Sequence, residues 1–362
     1  MSWIGINDFF RPSLTPDKGF PTPLKRSMAD PNCLVPTGSM IIETRNTGAK
    51  DGTVLLSYSD QGDWAFTLDI SVLPSQSLSV ALHQGKISRS ATVAMPSVST
   101  DCRLRITLSW DAPARTGRLS IEDLDNAVIT QTDITELPPL RAKTLAELVN
   151  DKGRAFFDNG VTLFAVSNSV EPVGLMPGLA SGTRVTTQHG PTLVENLRRG
   201  DLVRTAAGDL APIRWLTMRE VPCAGYFAPI RLRAPFFGLA QDLCVAQDHR
   251  IVVAGTEAEY LFGNDTVLVE ARHLLSSASA DLVQGPGLRR FFHILLDNHE
   301  LLETNGAHSE SLFVGRLASA PLLLASTPLA DLPSTAVPHH KQLARPVLKN
   351  YETIALVSAL TA

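Results

Sequence analysis

The chain has 362 residues, 44% of them hydrophobic and 19% charged, and its 36 acidic against 32 basic residues give a net charge of −4. That composition excludes the disordered class, which needs low hydrophobicity and high net charge. It also argues against a nucleic-acid partner, because a phosphate-gripping protein is strongly basic. The longest apolar stretches, such as Ala320–Ala325, fall far short of the roughly 20 residues a membrane span needs, so no membrane insertion is expected. The length suits two domains better than one.

The first residues, Met1 to Pro12, lack a basic segment followed by an apolar core, so no cleavable signal peptide is expected. Synthesis in the cytoplasm follows, with export by a signal-independent route left open. Cys33, Cys102, Cys223 and Cys244 are scattered, with no CxxC and no histidine at zinc-finger spacing, which reads as four reduced thiols.

Residues 1–37 carry Pro12, Pro16, Pro21, Pro23, Pro31 and Pro36 without a strand or helix period, and read as an extended arm. From Ser39 short runs of period two begin: Met40–Arg45, Thr53–Tyr58, Trp64–Ile70 and Leu78–Leu82. Cys102, Leu104, Ile106, Leu108 and Trp110 then alternate with Arg103, Arg105, Thr107 and Ser109, and Leu119, Ile121 and Ala127–Thr130 continue the series. Turn residues separate the runs, so residues 38–170 are expected to form a two-sheet β-sandwich. Thr144-Leu-Ala-Glu147 reads as a capping box opening one short helix. Residues 171–181, rich in Pro and Gly, read as a linker.

The second half is again strand-dominated, with runs at 183–187, 202–205, 212–216, 230–233, 243–246, 250–253, 267–269 and 291–296, and a short helix expected at 270–275. After Arg316 the chain turns Pro- and Ala-rich, and 319–362 reads as a tail.

Within this half stand Gly182-Thr183, then Val194-Glu195-Asn-Leu197-Arg-Arg-Gly200-Asp201-Leu-Val203, then Gln247-Asp248-His249-Arg250-Ile-Val, and Phe292-His293-Ile-Leu-Leu-Asp297-Asn-His299-Glu300. This set resembles the Hint module, the self-processing β-fold shared by hedgehog C-terminal domains and inteins, in its bacterial stand-alone form. The resemblance covers roughly residues 174–350, with the domain itself at 182–318. It implies a nucleophilic Cys four residues before Gly182, whose thiol turns the preceding amide into a thioester. It also implies a His at 249 with a Thr three residues before it, to polarise that bond and protonate the leaving amine. Here those positions hold Gly178 and Ala246, and only His249 remains. The resemblance therefore implies a degenerate Hint domain whose processing chemistry is lost, with Gly178, Ala246 and His249 as its remnant site.

His249 reads as a retained core or turn histidine, whose tautomer Asp248 could hold. His293 and His299 are six residues apart and His299-Glu300 lacks the second His of the zinc-protease pattern, so no metal site is expected there. His339-His340 reads as surface.

Residues 103–126 resemble the back strands of concanavalin- or laminin-G-like jelly rolls. Such sandwiches bind glycans on aromatic platforms, some of them with calcium held by carboxylates and carbonyls. The resemblance offers Trp64, Tyr58 and Asp111 as ligand-binding candidates, with Trp110, Asp123 and Asp125 also considered. Trp110 continues a buried face and reads as core, and Asp123 and Asp125 read as turn caps.

The fold expected is all-β: a jelly-roll-like sandwich followed by a Hint-type β-fold, with few short helices. The function expected is recognition of a surface glycan or protein partner with an inactive Hint scaffold. The alternatives are residual autoprocessing centred on His249, or a subunit of an oligomer or larger assembly with the proline-rich arms lying along neighbours.

Overall fold

The computed structural model describes residues 3–9, 14, 30, 33–46, 52–62, 64–96, 101–150, 153–275 and 278–361. The chain divides into two compact units, Met1–Gly174 and Leu175–Ala362. The division falls inside the segment expected to be a linker.

In the first unit the alternating runs form two antiparallel sheets. One has six strands in the order Trp3–Asp8, Val161–Ser167, Thr37–Arg45, Arg103–Asp111, Thr116–Asp123 and Val128–Thr135. The other has five, in the order Ala155–Phe157, Thr53–Asp60, Phe66–Leu73, Ser77–Gln84 and Ile87–Ala94. Period two turns one face of each strand inward. Phe66, Leu68 and Ile70 are buried while Thr67, Asp69 and Ser71 are half-buried. Leu78, Val80 and Leu82 join them, and Met40, Ile42, Leu104, Ile106, Leu108 and Leu119 supply the same core. This is a β-sandwich.

Three expectations change here. Part of the expected arm is a strand: Trp3–Asp8 is buried throughout and pairs with Val161–Ser167. The prolines from Pro12 to Pro31 lie beyond it, outside the described residues. Arg103, Arg105, Thr107 and Ser109 are buried as well as their apolar neighbours, and Arg105 donates to Glu43 through Nε at 3.0 Å and Nη2 at 2.8 Å. The helix runs Ala142–Asn150, so Thr144 lies inside it rather than capping it. Its first N–H, from Ala142, finds the Cys33 carbonyl at 2.8 Å instead.

The second unit also has two sheets. The first runs Trp215–Pro222, Leu288–Leu295, Leu179–Ala180, Leu243–Val245, Ile230–Leu232 and Ala280–Leu282. The second runs Leu210–Pro212, Leu202–Arg204, Arg184–Thr187, Leu301–Thr304, Ala307–Glu310, Arg250–Ala254 and Thr266–Glu270, with Gly190–Leu193 paired to Arg184–Thr187. The helix expected at 270–275 is only a 3-10 turn, Ala271–Leu274.

Residues 319–362 are part of this unit and not a loose tail. Leu324, Leu329, Leu332 and Val337 pack with Leu295, Leu312 and Val314. Val347 bridges in parallel to Leu268, and Leu348 and Leu356 enter the main core. None of the four cysteines is disulfide-bonded. No helix among the described residues is long and apolar enough to cross a membrane.

Candidate functional site

The turn at Gly182, just after the strand Leu179–Ala180, is held by the Val194–Val203 segment. Gly182 has φ +92° and donates its N–H to the Glu195 carboxylate at 2.9 and 3.1 Å. Gly200 has φ +93°, and Asp201 accepts the Arg198 N–H at 2.8 Å. These two glycines sit where a Cβ is strained. Val194, Leu197 and Val203 bury the other side of the segment. Acid, glycine and apolar positions thus each have a separate structural task.

The turn follows the short strand Leu179–Ala180, in which Leu179 pairs with both Phe292 and Val245. Gly178 stands just before that strand, and its carbonyl accepts the Ala246 N–H at 2.8 Å. A turn then closes with His249 N–H on the Ala246 carbonyl at 3.1 Å. Gln247 anchors that turn by donating Nε2 to the Gly225 and Ala228 carbonyls, at 3.1 Å each. The result places the His249 imidazole against Gly178. A Cβ at 178 would lie 1.9 Å from His249 Nδ1 and 2.5 Å from its Cγ, so with the ring in this position only glycine fits.

Gly178, Ala246 and His249 are therefore together, as the resemblance implied. Asp248 does not hold the His249 tautomer, because it turns to the Arg272 guanidinium instead.

Two residues not placed here from the sequence complete the cluster. His293 lies on Leu288–Leu295 and Glu310 ends Ala307–Glu310. Ligand-capable atoms of His249, His293 and Glu310 lie within 4.8 Å of one another, and all three residues are buried. The two imidazoles meet edge-on, with centroids 5.4 Å apart and planes at 70°. No ring nitrogen of either has a hydrogen-bond partner among the described residues. An orphaned buried polar group costs roughly 1–3 kcal/mol.

Burial, above all, lowers the His249 pKa to about 4 and the His293 pKa to about 3, so both rings are neutral at pH 7. Burial pushes the Glu310 carboxyl the other way, but the His299 hydrogen bond and the Arg250 charge outweigh it and bring the group to about 2. Arg250 supplies its backbone N–H to Oε1 at 3.1 Å and Nη1 to Oε2 at 3.2 Å. His299 accepts the Ala344 N–H on Nδ1 at 2.9 Å, so its proton sits on Nε2 and points to Glu310 Oε2 at 3.2 Å. His340 is fixed in the same way: Nδ1 accepts the Val314 N–H at 3.3 Å, and Nε2 donates to the Leu296 carbonyl at 3.1 Å. It is buried, contrary to the surface reading.

The signal for His293 and Glu310 was there in part. Each interrupts an apolar or small-residue run, and a polar group inside such a run is expensive unless something uses it. Their meeting with His249 depends on strand pairing, which spacing along the chain does not reveal.

In the sandwich, the candidates scatter by environment. Tyr58 is 1% exposed and donates its hydroxyl to Glu147 at 2.5 Å, so it is core and not a ligand platform. A register shift between Val54 and Leu56 turns it to the buried face. Asp111 Oδ1 accepts the Ala114 N–H at 3.1 Å, the work of a turn cap. Asp123 accepts the Asp125 and Asn126 amides, and Asp125 takes the Arg103 N–H and Nε. Trp110 is core, its Nε1 donating to the Val35 carbonyl at 3.0 Å. Trp64 alone of the aromatic candidates is open to solvent, at 45% exposure, with the Arg141 guanidinium 5.9 Å over its ring.

The family model described as Hint domain matches residues 177–316. Residues 177–316 are a Hint domain. The Hint domain thus opens one residue before Gly178, and the His249–His293–Glu310 cluster lies inside it. Among solved structures, the chain is similar to the bacterial intein-like domain from Clostridium thermocellum, at 14% identity over 38% of this chain and 100% of that one, with a TM-score of 0.29. It is similar to the MchDnaB-1 intein at 15% identity over 37% and 99%, with a TM-score of 0.27. It is also similar to the CBM40 of the Ruminococcus gnavus IT-sialidase bound to α2,3-sialyllactose, at 14% identity over 37% and 76%, with a TM-score of 0.25. A search of curated proteins gives no match.

Proposed function

We propose that this chain is a non-catalytic recognition or structural protein. Its sandwich binds a surface glycan or a protein partner, and its Hint domain is a scaffold that does not cut its own backbone. One observation carries the reading: the space a processing nucleophile needs at 178 is taken by the His249 ring. Acyl transfer starts from a nucleophile beside the bond and ends with a proton given to the leaving amine. Gly178 brings no nucleophile, Ala246 no hydroxyl, and His249, with its pKa near 4, carries no extra proton at pH 7.

The test is intact-mass spectrometry of the purified full chain after prolonged incubation with dithiothreitol. A single full-length mass is expected. Two fragments meeting at Pro177–Gly178 would instead establish residual autoprocessing. The binding half rests on Trp64, whose exposed ring beside Arg141 is a face that glycans and peptides both stack on. A glycan array probed with the full chain, in calcium and in chelator, is expected to give a hit that Trp64→Ala abolishes. Loss of that hit in chelator would add calcium to the site. A blank array in both buffers removes the glycan and leaves a protein partner.

A further inference from the structure

We infer that His249, His293 and Glu310 form a binding site for one divalent transition-metal ion of the zinc class, placed where a processing nucleophile would otherwise stand. The inference is independent of what the sandwich binds and of whether the backbone is cut. Two imidazoles are buried side by side with all four nitrogens unpartnered among the described residues, and one ligand atom from each ring and from a charged carboxylate lie within 4.8 Å of one another. A histidine kept only for packing gains nothing from facing another histidine in a dry interior, and each ring nitrogen there lacks the partner that buried polar groups normally have.

The chemistry of the donor set selects the ion. Two neutral imidazoles and one carboxylate suit Zn²⁺, Co²⁺ or Ni²⁺, whereas Ca²⁺ and Mg²⁺ call for oxygen-only shells. Both rings are already in the deprotonated form that ligates, so the ion displaces no proton from them. Glu310 retains coordinating capacity: a carboxylate offers about four lone-pair sites. Three are occupied by the Arg250 N–H, Arg250 Nη1 and His299 Nε2. Those same contacts hold the carboxylate in place, as outer-shell partners do around metal ligands. Bonds of about 2.0–2.1 Å in a tetrahedron put ligand atoms about 3.3 Å apart, so the ion draws the three groups slightly inward. Three protein ligands leave one tetrahedral position for water or an exogenous donor.

The experiment titrates untagged, chelator-treated full-length protein with Co²⁺ and then with Zn²⁺. One equivalent of Co²⁺ is expected to bring up the intense visible bands of a four-coordinate site, and one equivalent of Zn²⁺ to bleach them. His249→Ala and His293→Ala, each with wild-type far-UV circular dichroism, are expected to weaken Co²⁺ affinity by more than the roughly 10–100-fold that loss of an outer-shell partner costs. His83→Ala and His189→Ala, at exposed positions, are expected to leave it unchanged. Absence of Co²⁺ uptake by the wild-type chain overturns the assignment, as does uptake that survives intact in the folded His249→Ala and His293→Ala variants. If those variants do not fold, zinc-edge X-ray absorption of the loaded wild-type protein decides. Scattering from two imidazoles supports the site, and fewer than two refutes it.

Discussion

His293 and His249 make the protein's acid response a property of single side chains. In metal-free protein their folded pKa values of about 3 and about 4 lie below the ordinary 6.5. Between those limits the unfolded chain binds more protons than the folded one, so stability is complete above pH 6.5 and falls as the pH drops through the window. Glu310, about 2 when folded against an ordinary 4.5, adds a loss of the same sign below pH 4.5. Replacing His293→Gln is expected to flatten the fall in urea midpoint between pH 6.5 and 4 in chelator-containing buffer, and an unchanged slope would contradict it. At this scale the sequence was legible where chemistry and spacing coincide. Gly178, Ala246 and His249 were grouped by what the Hint resemblance implies, and Trp110 was placed by its run of alternating neighbours. Tyr58 was not, because one bulge at Val54/Leu56 reverses which face of the strand it occupies. His299 and His340 were not, because their partners are the backbone amides of Ala344 and Val314, which no side-chain pattern announces.

At the level of elements, alternation revealed the strands that bury one face and hid those that do not alternate. Val161–Ser167 is almost wholly buried, so its period vanishes. Ile87–Ala94 is mostly exposed, built from Ser, Arg, Ala and Thr with few apolar markers. Trp3–Asp8 was obscured by the prolines that follow it, yet it is a terminal strand of the six-stranded sheet, with Trp3, Ile4 and Ile6 each at most 1% exposed. Trp3→Ala is expected to destabilise by about 3–5 kcal/mol, the cost of truncating a buried aromatic residue. Chemical denaturation of the variant checks this, and a change under about 1 kcal/mol would mean that the strand is dispensable. The helix Asn350–Thr361 shows the opposite difficulty. It follows a Pro- and Ala-rich stretch, and while Leu356 is buried and Val357 packs beside it against the core, Ile354 and Leu360 are exposed.

For the whole molecule, length suggested two parts, and the short alternating runs together with the Hint resemblance set both in the all-β class. The boundary at 174/175 lies within the Pro- and Gly-rich segment that marked it. Composition failed at the C-terminus, where scattered leucines pack against Leu295, Leu312 and Val314 despite the prolines between them. A chain ending at residue 318 is therefore expected to lose the cooperative unfolding of its second unit, read as a broadened or missing near-ultraviolet transition. A transition as sharp as that of the full chain would show the last segment to be an ornament. Biosynthesis gives the Ala344 contact a further meaning. Translation delivers His249, His293 and Glu310 before Ala344, yet it is the Ala344 amide that fixes which nitrogen of His299 carries the proton and hence what Glu310 receives. A nascent chain halted between Glu310 and Ala344 holds every side chain of the cluster but lacks the amide that fixes the His299 tautomer. The interior of this unit is thus completed in time by its periphery, after every residue that lines the cluster has been made.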